Sequence, residues 1–441
     1  MRYTEQVSKK PFPIVELQLE KIVGGGQALG TLDDGRKFFT WGGLPGETVV
    51  AQTTKKKASF AEGYVTEVIA PSTDRIEPKD SVSYLSTSPW QIMTFDAEQH
   101  YKAALIEEAF ELHDIVLPEP IDIYSDGKEY HYRNKVEFSW YGEQDVGTGA
   151  DTLHLAFFRR GSKGKIPLDD CALLPESIMK LARQIRDLLR TKPVSARNLK
   201  TLLIRCDQNG NCVWQLYLKD KMPEIISAEE ADHLPAQGGE LIYSTHKSPA
   251  SVITERLASF RDPVLSDTIL GVPFRYATEG FFQINLPVYE QALRDIKQWI
   301  LENTATVDLY SGVGSIGLTV GGAGTTLVEV NEHAVREMKR NIARLGLVAT
   351  PVLAASEHAL SYIASDKTII VDPPRAGLHD AVIDRLLTEA PQRIIYLSCN
   401  PVTQARDVAK LADIYGIRTH RGYNFFPRTP HIEHLVILDR R

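Results

Sequence analysis

Cys399 is the residue whose type and position best suit covalent chemistry. It lies in the run YLSCNP, residues 396–401, directly after an apolar, strand-like stretch at 393–397. A cysteine acts as a nucleophile through its thiolate, so we expect polar groups or a helix N-terminus to lower its pKa from about 8.5. Buried cysteines that only pack are common, and the neighbouring motifs must decide between the two interpretations.

A glycine-rich turn upstream indicates a nucleotide-type cofactor. The run DLYSGVGSIG, residues 308–317, follows a predicted strand, and glycines there let the backbone approach a ligand and open a helix N-terminus. Glu329 ends the next strand about 20 residues later, where a carboxylate can bind both ribose hydroxyls. Asp308 precedes the first glycine by four residues, as in class I folds that bind S-adenosylmethionine (SAM). A tight turn without a ligand is the alternative.

A third motif, VDPPRAG at residues 371–377, ends another predicted strand. Ligands bind at the carboxyl ends of the strands in parallel sheets, so Asp372 is a candidate contact. Enzymes that methylate exocyclic amines usually have an aromatic residue after the Pro-Pro pair. Arg375 stands at that place, which argues against amine methylation. A rigid turn capped by Asp372 is the alternative.

Glu433 is the candidate base. Adding a thiolate to C6 of a pyrimidine turns C5 into an enolate-like carbon that can attack a methyl sulfonium, and a base must then remove the C5 proton. Glu433 follows the run FPRTPHI at 426–432 and begins the terminal strand, where a carboxylate is costly unless it is paired or used. An exposed strand-end glutamate is one alternative, and His431 as the base is another.

The elements that would position these residues fall into three predicted domains. Residues 1–72 alternate apolar and polar positions between glycines and prolines, which predicts a small barrel of the oligonucleotide-binding (OB) type. Residues 73–264 read as a mixed α+β central domain with a helix at about 96–112. From 265 to 441, helices at 332–345 and 379–389 alternate with apolar strands and predict a doubly wound, mostly parallel α/β sheet. The strands of this third domain lie at 306–309, 326–330, 350–353, 368–372, 393–397 and 432–438.

Composition excludes several classes of protein. The 441 residues are 43% hydrophobic and 24% charged, and no apolar run approaches the roughly 18 residues of a membrane helix. The first six residues lack the apolar segment of a signal peptide. Four cysteines without a Cys-x-x-Cys pair give no disulfide framework and predict a reducing, cytoplasmic location.

Two basic patches are candidate contacts for RNA phosphates. The net charge of −7 counts mildly against a nucleic-acid partner, but binding depends on local patches. Solvated loops are the alternative interpretation of both. The patches comprise Lys55, Lys56 and Lys57, and then Arg159 and Arg160 with Lys163 and Lys165.

With these motifs assembled, the chain resembles the uracil-C5 RNA methyltransferases, which form 5-methyluridine in ribosomal and transfer RNA. The resemblance rests on FFQIN at 281–285, the turn at 308–314, DPPR at 372–375, SCNP at 398–401, and P-x-T-x-H-x-E at 427–433. The run GLPGE at 43–47 is similar to the signature of a TRAM domain, a small RNA-binding barrel. The resemblance implies a Rossmann-like class I SAM-dependent methyltransferase domain behind that barrel and a central domain.

The same resemblance assigns roles to residues of this chain. Cys399 would be the nucleophile and Glu433 the base. Gln283, Tyr310, Glu329 and Asp372 match contacts with the methyl donor, and the family's contact within the glycine turn falls on Ser315. The turn itself adds Gly312 and Gly314 as candidate contacts.

One departure from the family pattern concerns iron. Several relatives carry an iron–sulfur cluster on three clustered cysteines after the barrel and a fourth in the middle domain. The corresponding stretch here, SVSYLSTSPW at 81–90, has no cysteine. Cys171 matches the fourth place, but one thiol cannot hold a cluster. We therefore predict an enzyme without an iron–sulfur cluster or other metal.

The leading hypothesis is SAM-dependent methylation of a uridine at C5 in RNA, by a cytoplasmic and monomeric enzyme. Ribosomal RNA, specifically 23S, is favoured because the TRAM-like barrel accompanies ribosomal members more often than transfer RNA members. Three alternatives stay open. They are a transfer RNA uracil-C5 enzyme, a cytosine-C5 enzyme, whose cysteine usually follows proline or threonine, and a non-catalytic RNA-binding or assembly factor with the same fold.

Overall fold

The computed structural model describes residues 13–144 and 151–441, and its contacts divide the chain into two compact units. Unit 1 contains the chain up to residue 101 and two short segments, 160–162 and 428–430. Unit 2 contains the remainder. The three-domain division made from the sequence stays a prediction. No helix in the described ranges is long and apolar enough to cross a membrane.

Unit 1 contains a closed five-stranded barrel, as predicted. Its strands alternate buried and exposed side chains, and Phe38 and Thr40 of the third strand point into the core. The second strand was not predicted, because it has four residues and one is Gly30. A Cβ atom at Gly30 would lie 2.5 Å from the Gln18 carbonyl oxygen, so the barrel requires glycine here. The strand order is β1-β2-β3-β5-β4, with β1 (Ile14–Ile22), β2 (Ala28–Thr31), β3 (Lys37–Trp41), β4 (Thr48–Lys56) and β5 (Phe60–Ala70).

A seven-stranded sheet forms the first part of unit 2. One of its faces packs on α3, whose apolar residues join the largest core cluster. β10 and β11 pair antiparallel and form a hairpin that turns at Asn209-Gly210. The order is β13-β12-β11-β10-β7-β8-β9. The elements are β7 (Lys135–Gln144), β8 (Asp151–Phe158), β9 (Lys165–Pro167), β10 (Leu199–Cys206), β11 (Cys212–Leu218), β12 (Gly238–Tyr243) and β13 (Glu255–Arg261), with α3 (Glu176–Arg190) and α4 (Ala228–His233). Earlier in the chain, α1 (Tyr84–Thr87) belongs to unit 1, and α2 (Phe95–Glu111) begins in unit 1 and ends in unit 2.

An eight-stranded sheet with helices forms the rest of unit 2, and it confirms the predicted doubly wound fold. The order is β18-β17-β16-β19-β20-β22-β21-β6, parallel from β18 to β20 and antiparallel for β22 against both of its neighbours. Apolar residues on its two faces form two separate core clusters. The strands are β6 (Ile123–Tyr124), β16 (Ala305–Leu309), β17 (Thr325–Glu329), β18 (Ala349–Leu353), β19 (Lys367–Val371), β20 (Arg393–Ser398), β21 (Tyr415–Tyr423) and β22 (Glu433–Arg440).

The helices of this part alternate with the strands, and a separate hairpin precedes them. The helix predicted at 332–345 has those bounds, because Asn331 caps its start and Gly346, at φ 64°, ends it. The hairpin comprises β14 (Val264–Ile269) and β15 (Val272–Ala277). The helices are α5 (Leu286–Gln298), α6 (Ser315–Val320), α7 (Glu332–Leu345), α8 (Asp380–Glu389) and α9 (Pro401–Leu411), with single 3₁₀ turns at Ser356–His358 and Leu360–Tyr362.

The strand order brings the chemical motifs to one edge of the sheet, which we call the carboxyl rim. β16, β17, β19 and β20 are parallel, so the residues that follow them emerge at the same edge. β22 runs in the opposite direction, so its first residue lies at that edge too. The residues at the rim are therefore Glu329, Tyr310, Asp372, Cys399 and Glu433.

Candidate active site

The glycine turn after β16 leaves open space for a ligand. Tyr310, Gly312 and Gly314 have φ angles of 63°, 57° and 85°, and the left-handed conformation at a tyrosine costs about 1 kcal/mol or more. A Cβ atom added at Gly312 would have no other heavy atom within 4 Å. Gly317 is required for a different reason, since a Cβ there would lie 2.3 Å from the Leu327 side chain.

Backbone amides hold the two carboxylates of this turn. Glu329, at the end of β17, accepts hydrogen bonds from the amides of Gly312 at 2.9 Å and Asn331 at 2.7 Å. Asp308 is buried and accepts one from the Gly317 amide at 2.9 Å. Its other oxygen, Oδ1, has no partner in the described part of the chain. Burial raises the pKa of Asp308 to about 8, although the Gly317 amide opposes this shift.

These residues fit the predicted cofactor. SAM carries a ribose with two hydroxyl donors, and the half-buried Glu329 carboxylate is fixed as an acceptor at the turn's edge. The open face of Gly312 allows the backbone to lie against a ligand. Ser315, the first residue of α6, is bonded through its hydroxyl to the Tyr289 hydroxyl at 2.7 Å, which fixes α6 against α5.

The Pro-Pro loop after β19 is tied to the start of α9. The Arg375 carbonyl accepts hydrogen bonds from the side chains of Asn400 at 2.8 Å and Thr403 at 3.2 Å. Asp407 of α9 accepts from the Leu378 amide at 2.7 Å. The loop that carries Asp372 and the residues that follow Cys399 are thus held as one structure.

Strand register places Cys399 beside Glu433. Ser398 of β20 pairs with His434 of β22. Cys399 directly follows Ser398 and Glu433 directly precedes His434, so the register brings both residues to the same end of the strand pair. The charge of Glu433 acts on the Cys399 thiol. Cys399 is half-buried, whereas the other three cysteines are buried.

The acidity of Cys399 corrects the sequence-based expectation. Burial, and then the negative charges of Glu433 and Asp372, raise the pKa of the thiol to about 11, while Arg375 acts in the opposite direction. The expectation of a lowered pKa is wrong for this structure, because the sequence does not reveal that the thiol sits among carboxylates. The thiol is therefore protonated at neutral pH, and its proton has to be removed before it can react.

The carboxyl groups of Glu433 and Asp372 at the carboxyl rim also have raised pKa values. Burial, followed by the charge of Asp372, raises the pKa of Glu433 well above its usual value, and Arg375 opposes the shift. Burial raises the pKa of Asp372 to about 7. The Arg375 guanidinium lies 3.2 Å from Nδ1 of His431, so that nitrogen accepts a hydrogen bond from Arg375.

Gln283 lies in an irregular segment between β15 and α5 and is half-buried. Its carbonyl accepts a hydrogen bond from the Asn134 side chain at 3.1 Å. Sequence reasoning missed Asn134, Arg205, Tyr289 and Asp407, which hold the site from outside the motifs. The sequence offered one signal for these residues, namely that Arg205 interrupts an otherwise apolar strand.

The proposed RNA contacts differ in their availability. Lys55, Lys56 and Lys57 are exposed at the end of β4, although Lys55 pairs with Glu62 at 2.7 Å. Arg159 is exposed. The Arg160 guanidinium lies 4.2 Å from the centre of the Trp41 ring and donates to the Leu85 carbonyl.

The described residues contain no group of three or more histidine, cysteine or acidic side chains that could hold a metal ion. Cys171 is buried. The absence of an iron–sulfur cluster stays a prediction.

Comparison with known proteins gives consistent matches. The model of the family "tRNA (Uracil-5-)-methyltransferase" matches residues 359–441. An uncharacterized RNA methyltransferase of Thermosynechococcus vestitus is 28% identical over 96% of this chain and 97% of its own. Another from Enterococcus faecalis is 26% identical over 97% of both.

One solved structure matches along the whole chain. It is the tRNA (uracil-54, C5)-methyltransferase of Pyrococcus abyssi in complex with S-adenosyl-L-homocysteine, with a TM-score of 0.78 and 19% identity over 96% of this chain and 100% of that one. At this identity the likeness shows a shared fold.

Proposed function

We propose that the chain is a uracil-C5 RNA methyltransferase and that it methylates C5 of a uridine in 23S ribosomal RNA through a covalent bond between Cys399 and C6. SAM is the methyl donor of this family. The observation that supports the proposed mechanism is the pairing of Ser398 with His434, because Cys399 and Glu433 are the next residues of the two strands at the carboxyl rim.

The first step is addition of sulfur to the base. The Cys399 thiolate bonds to C6, and the π electrons of C5–C6 move towards the C4 carbonyl, which leaves C5 nucleophilic. Because the pKa of the thiol is about 11, its proton must be removed before the sulfur adds. In our proposal that proton passes to solvent water, so that Glu433 is an unprotonated carboxylate for the last step, where its raised pKa makes it a stronger base than an ordinary glutamate.

The second step uses the electrophilic methyl group that bound SAM supplies on a positively charged sulfur. The Asp308–Gly314 turn and the Glu329 carboxylate hold this donor, and Tyr310, Ser315, Gln283 and Asp372 complete its contacts in our proposal. C5 would bond to the methyl carbon as the methyl–sulfur bond breaks, which would release S-adenosyl-L-homocysteine and leave C5 saturated.

The last step restores the aromatic base. Glu433 removes the C5 proton, the electrons of that bond re-form the C5–C6 double bond, and the Cys399 thiolate leaves. Burial of Glu433 favours this step, because a carboxylate with a raised pKa holds the proton more firmly.

The polynucleotide must present one base to the rim. A uridine within a stacked helix cannot reach Cys399, so we propose that it is flipped out of a loop. The barrel with Lys55, Lys56 and Lys57, and the pair Arg159 and Arg160, would contact the RNA backbone. A cytoplasmic enzyme acting as a monomer fits this scheme.

Transfer RNA is the second candidate substrate. The Pyrococcus abyssi protein, which shares the fold, acts on uracil 54 of transfer RNA, and the matching family model carries a transfer RNA description. The TRAM-like signature at 43–47 is the feature that makes us prefer ribosomal RNA.

Mapping 5-methyluridine in total RNA tests the proposal. Ribosomal and transfer RNA from cells with the gene, without it, and complemented with Cys399→Ala should be digested and sequenced for the modified base. We expect one ribosomal uridine to lose its methyl group in the deletion and in the Cys399→Ala strain. Loss in transfer RNA instead would favour the second substrate, and no loss in either RNA would contradict the proposal.

A further inference from the structure

The backbone carbonyl groups of the segment that carries Gln283 accept hydrogen bonds from side chains that are distant in the sequence. Residues 278–285 are irregular and link β15 to α5. The carbonyl oxygens of Gly280, Phe282 and Gln283 accept hydrogen bonds from side chains of the seven-stranded sheet. An irregular segment with buried carbonyls needs such partners, and here they come from two distant parts of the sequence.

Arg205 supplies two of these three hydrogen bonds. It lies in β10 and is fully buried. Its guanidinium donates to the Gly280 carbonyl at 2.6 Å and to the Phe282 carbonyl at 2.7 Å. Within the described residues these carbonyls are its hydrogen-bond partners, and Nε has none. A buried guanidinium is costly unless its donors are bonded, so the two carbonyls hold Arg205 and Arg205 in turn fixes their positions.

A stack of rings fixes the direction of this arginine. The guanidinium lies 4.9 Å from the centre of the Tyr276 ring, and Tyr276 stacks on Phe282 at 4.0 Å with an angle of 14°. The Tyr276 hydroxyl is anchored on Asp267 at 2.5 Å. The arginine and the segment it holds are thus aligned by the same two aromatic residues.

Asn134 supplies the third hydrogen bond. It lies just before β7, and its Nδ2 donates to the Gln283 carbonyl at 3.1 Å. It is buried, and its own Oδ1 has no partner among the residues described. Arg205 and Asn134 therefore both donate hydrogen bonds to the backbone of residues 280–283. This stretch includes Gln283, whose side chain we propose to contact SAM.

We propose that Arg205, supported by Asn134, is a positioning residue that sets the place of Gln283 and thereby the affinity for the methyl donor. This inference rests on the proposed function, because it gives Gln283 a contact with SAM. The seven-stranded sheet, whose sequence carries no reactive motif, then contributes directly to cofactor binding. A guanidinium can span two carbonyls in one fixed geometry, whereas a lysine ammonium on a flexible stem cannot.

The test measures binding of S-adenosyl-L-homocysteine to the full chain by calorimetry, without RNA. Arg205→Lys keeps the charge and loses the two-pronged contact, so we expect binding about tenfold weaker than in the wild type. Asn134→Ala should weaken it by a smaller factor. This second variant keeps the proposal testable where Arg205→Lys folds poorly.

A matched control separates positioning from general destabilisation. Arg393, at the start of β20, makes a two-pronged contact with Asp439 at 2.6 and 2.8 Å, at the opposite end of the strand from Cys399. Arg393→Lys should lower the melting temperature without changing the affinity for the ligand. A loss of affinity as large as that of Arg205→Lys would overturn the proposal.

A double-mutant cycle shows whether Arg205 acts through Gln283. In a Gln283→Ala background, Arg205→Lys should have little further effect, because the side chain it positions is absent. An undiminished tenfold effect in that background would overturn the inference while leaving the proposed function intact. A wild-type chain that binds no ligand would instead contradict the proposed function itself.

Discussion

The two halves of the carboxyl rim differ in how many hydrogen bonds their acidic side chains accept. At the β16–β17 half, backbone amides hold Glu329 at both oxygens and Asp308 at one. At the β19–β20–β22 half, the side chains of Asp372 and Glu433 form no hydrogen bonds within the described ranges, and burial raises the pKa of both. A carboxylate held by amides is a fixed acceptor for a ligand. Carboxyl groups without donors can exchange protons. We therefore propose that the first half binds the methyl donor and that Cys399 and Glu433 of the second half carry out the reaction, while Asp372 of the second half also contacts the donor.

The largest effect should follow removal of the nucleophile from the reacting half. Cys399→Ala leaves no sulfur to add to C6, so methylation should fall by about 10⁴-fold or more. Without the sulfur, no covalent complex between protein and RNA that survives denaturation should form either. Binding of S-adenosyl-L-homocysteine should be unchanged, because the thiol belongs to the other half of the rim. Methylation at an undiminished rate would disprove the covalent mechanism.

Glu433→Gln should separate formation of the adduct from its breakdown. The amide cannot take the C5 proton, so turnover should fall by about 10³-fold. Because water takes the Cys399 proton in our proposal, the adduct should still form, and methylated RNA should stay attached to the protein and be visible on a denaturing gel. His431→Gln is the control, since His431 was the alternative base. A trapped complex with His431→Gln and not with Glu433→Gln would reverse our assignment.

The binding half should respond in affinity. Glu329→Ala removes the acceptor for the ribose hydroxyls, and two charge-assisted hydrogen bonds correspond to a loss of roughly 100-fold in the binding constant for S-adenosyl-L-homocysteine. The exposed Glu302, which precedes β16 at the far end of the sheet, offers a control in Glu302→Ala. Equal losses in both variants would show that the effect is not specific to the rim.

Thiol alkylation tests the charges around Cys399 without turnover. The rate of reaction with iodoacetamide should rise with pH towards the thiol pKa of about 11. Arg375→Gln removes a positive neighbour that favours the thiolate, so the midpoint should move up by about one unit. Asp372→Asn removes a negative neighbour and should move it down. Cys399→Ser reports the background from the three buried cysteines, and shifts of the opposite sign would refute this electrostatic account.

The elements that sequence periodicity predicts well are those with strong local signals. The helix Glu332–Leu345 has a capping asparagine before it and a glycine after it, and the rim strands are short apolar runs. β21 was missed because its sequence, YGIRTHRGY, alternates weakly. It is stable in the sheet through pairing with β22, which no local pattern encodes.

In the candidate site, too, local motifs were predictable from the sequence and tertiary features were not. Motifs identify Cys399 and Glu433 separately, but their position at the same end of the strand pair depends on the register of two strands that are distant in the sequence. The direction of the thiol pKa was wrong for the same reason, since burial and the neighbouring carboxylates are tertiary features. Arg205 and Asn134 are also invisible to motifs, because each acts through hydrogen bonds to backbone carbonyls.

Asp308 differs from Glu329 in the binding half because burial raises its pKa. Its substitution should change stability, and we expect this change to be the smallest of the predicted effects and the most dependent on pH. Its folded-state pKa of about 8 lies above the ordinary value of 3.8. The stability linked to its protonation is therefore present at low pH and is lost as the pH rises through about 8. Asp308→Asn keeps an oxygen for the Gly317 amide and cannot ionise. The stability of the variant relative to the wild type should therefore be greater at pH 9 than at pH 5, by at most a few kcal/mol in unfolding free energy, and melting temperatures at the two pH values measure this.

The exposed Asp384 of α8 provides the control, since Asp384→Asn should leave the pH dependence of the melting temperature unchanged. If the stability of Asp308→Asn relative to the wild type were instead lower at pH 9 than at pH 5, the charged form of Asp308 would be the stabilising one. One amide from Gly317 would then suffice to fix a buried carboxylate as an anion. In that case the contrast between the two halves would lie in hydrogen bonding alone, because burial would no longer explain the raised pKa values of Asp372 and Glu433.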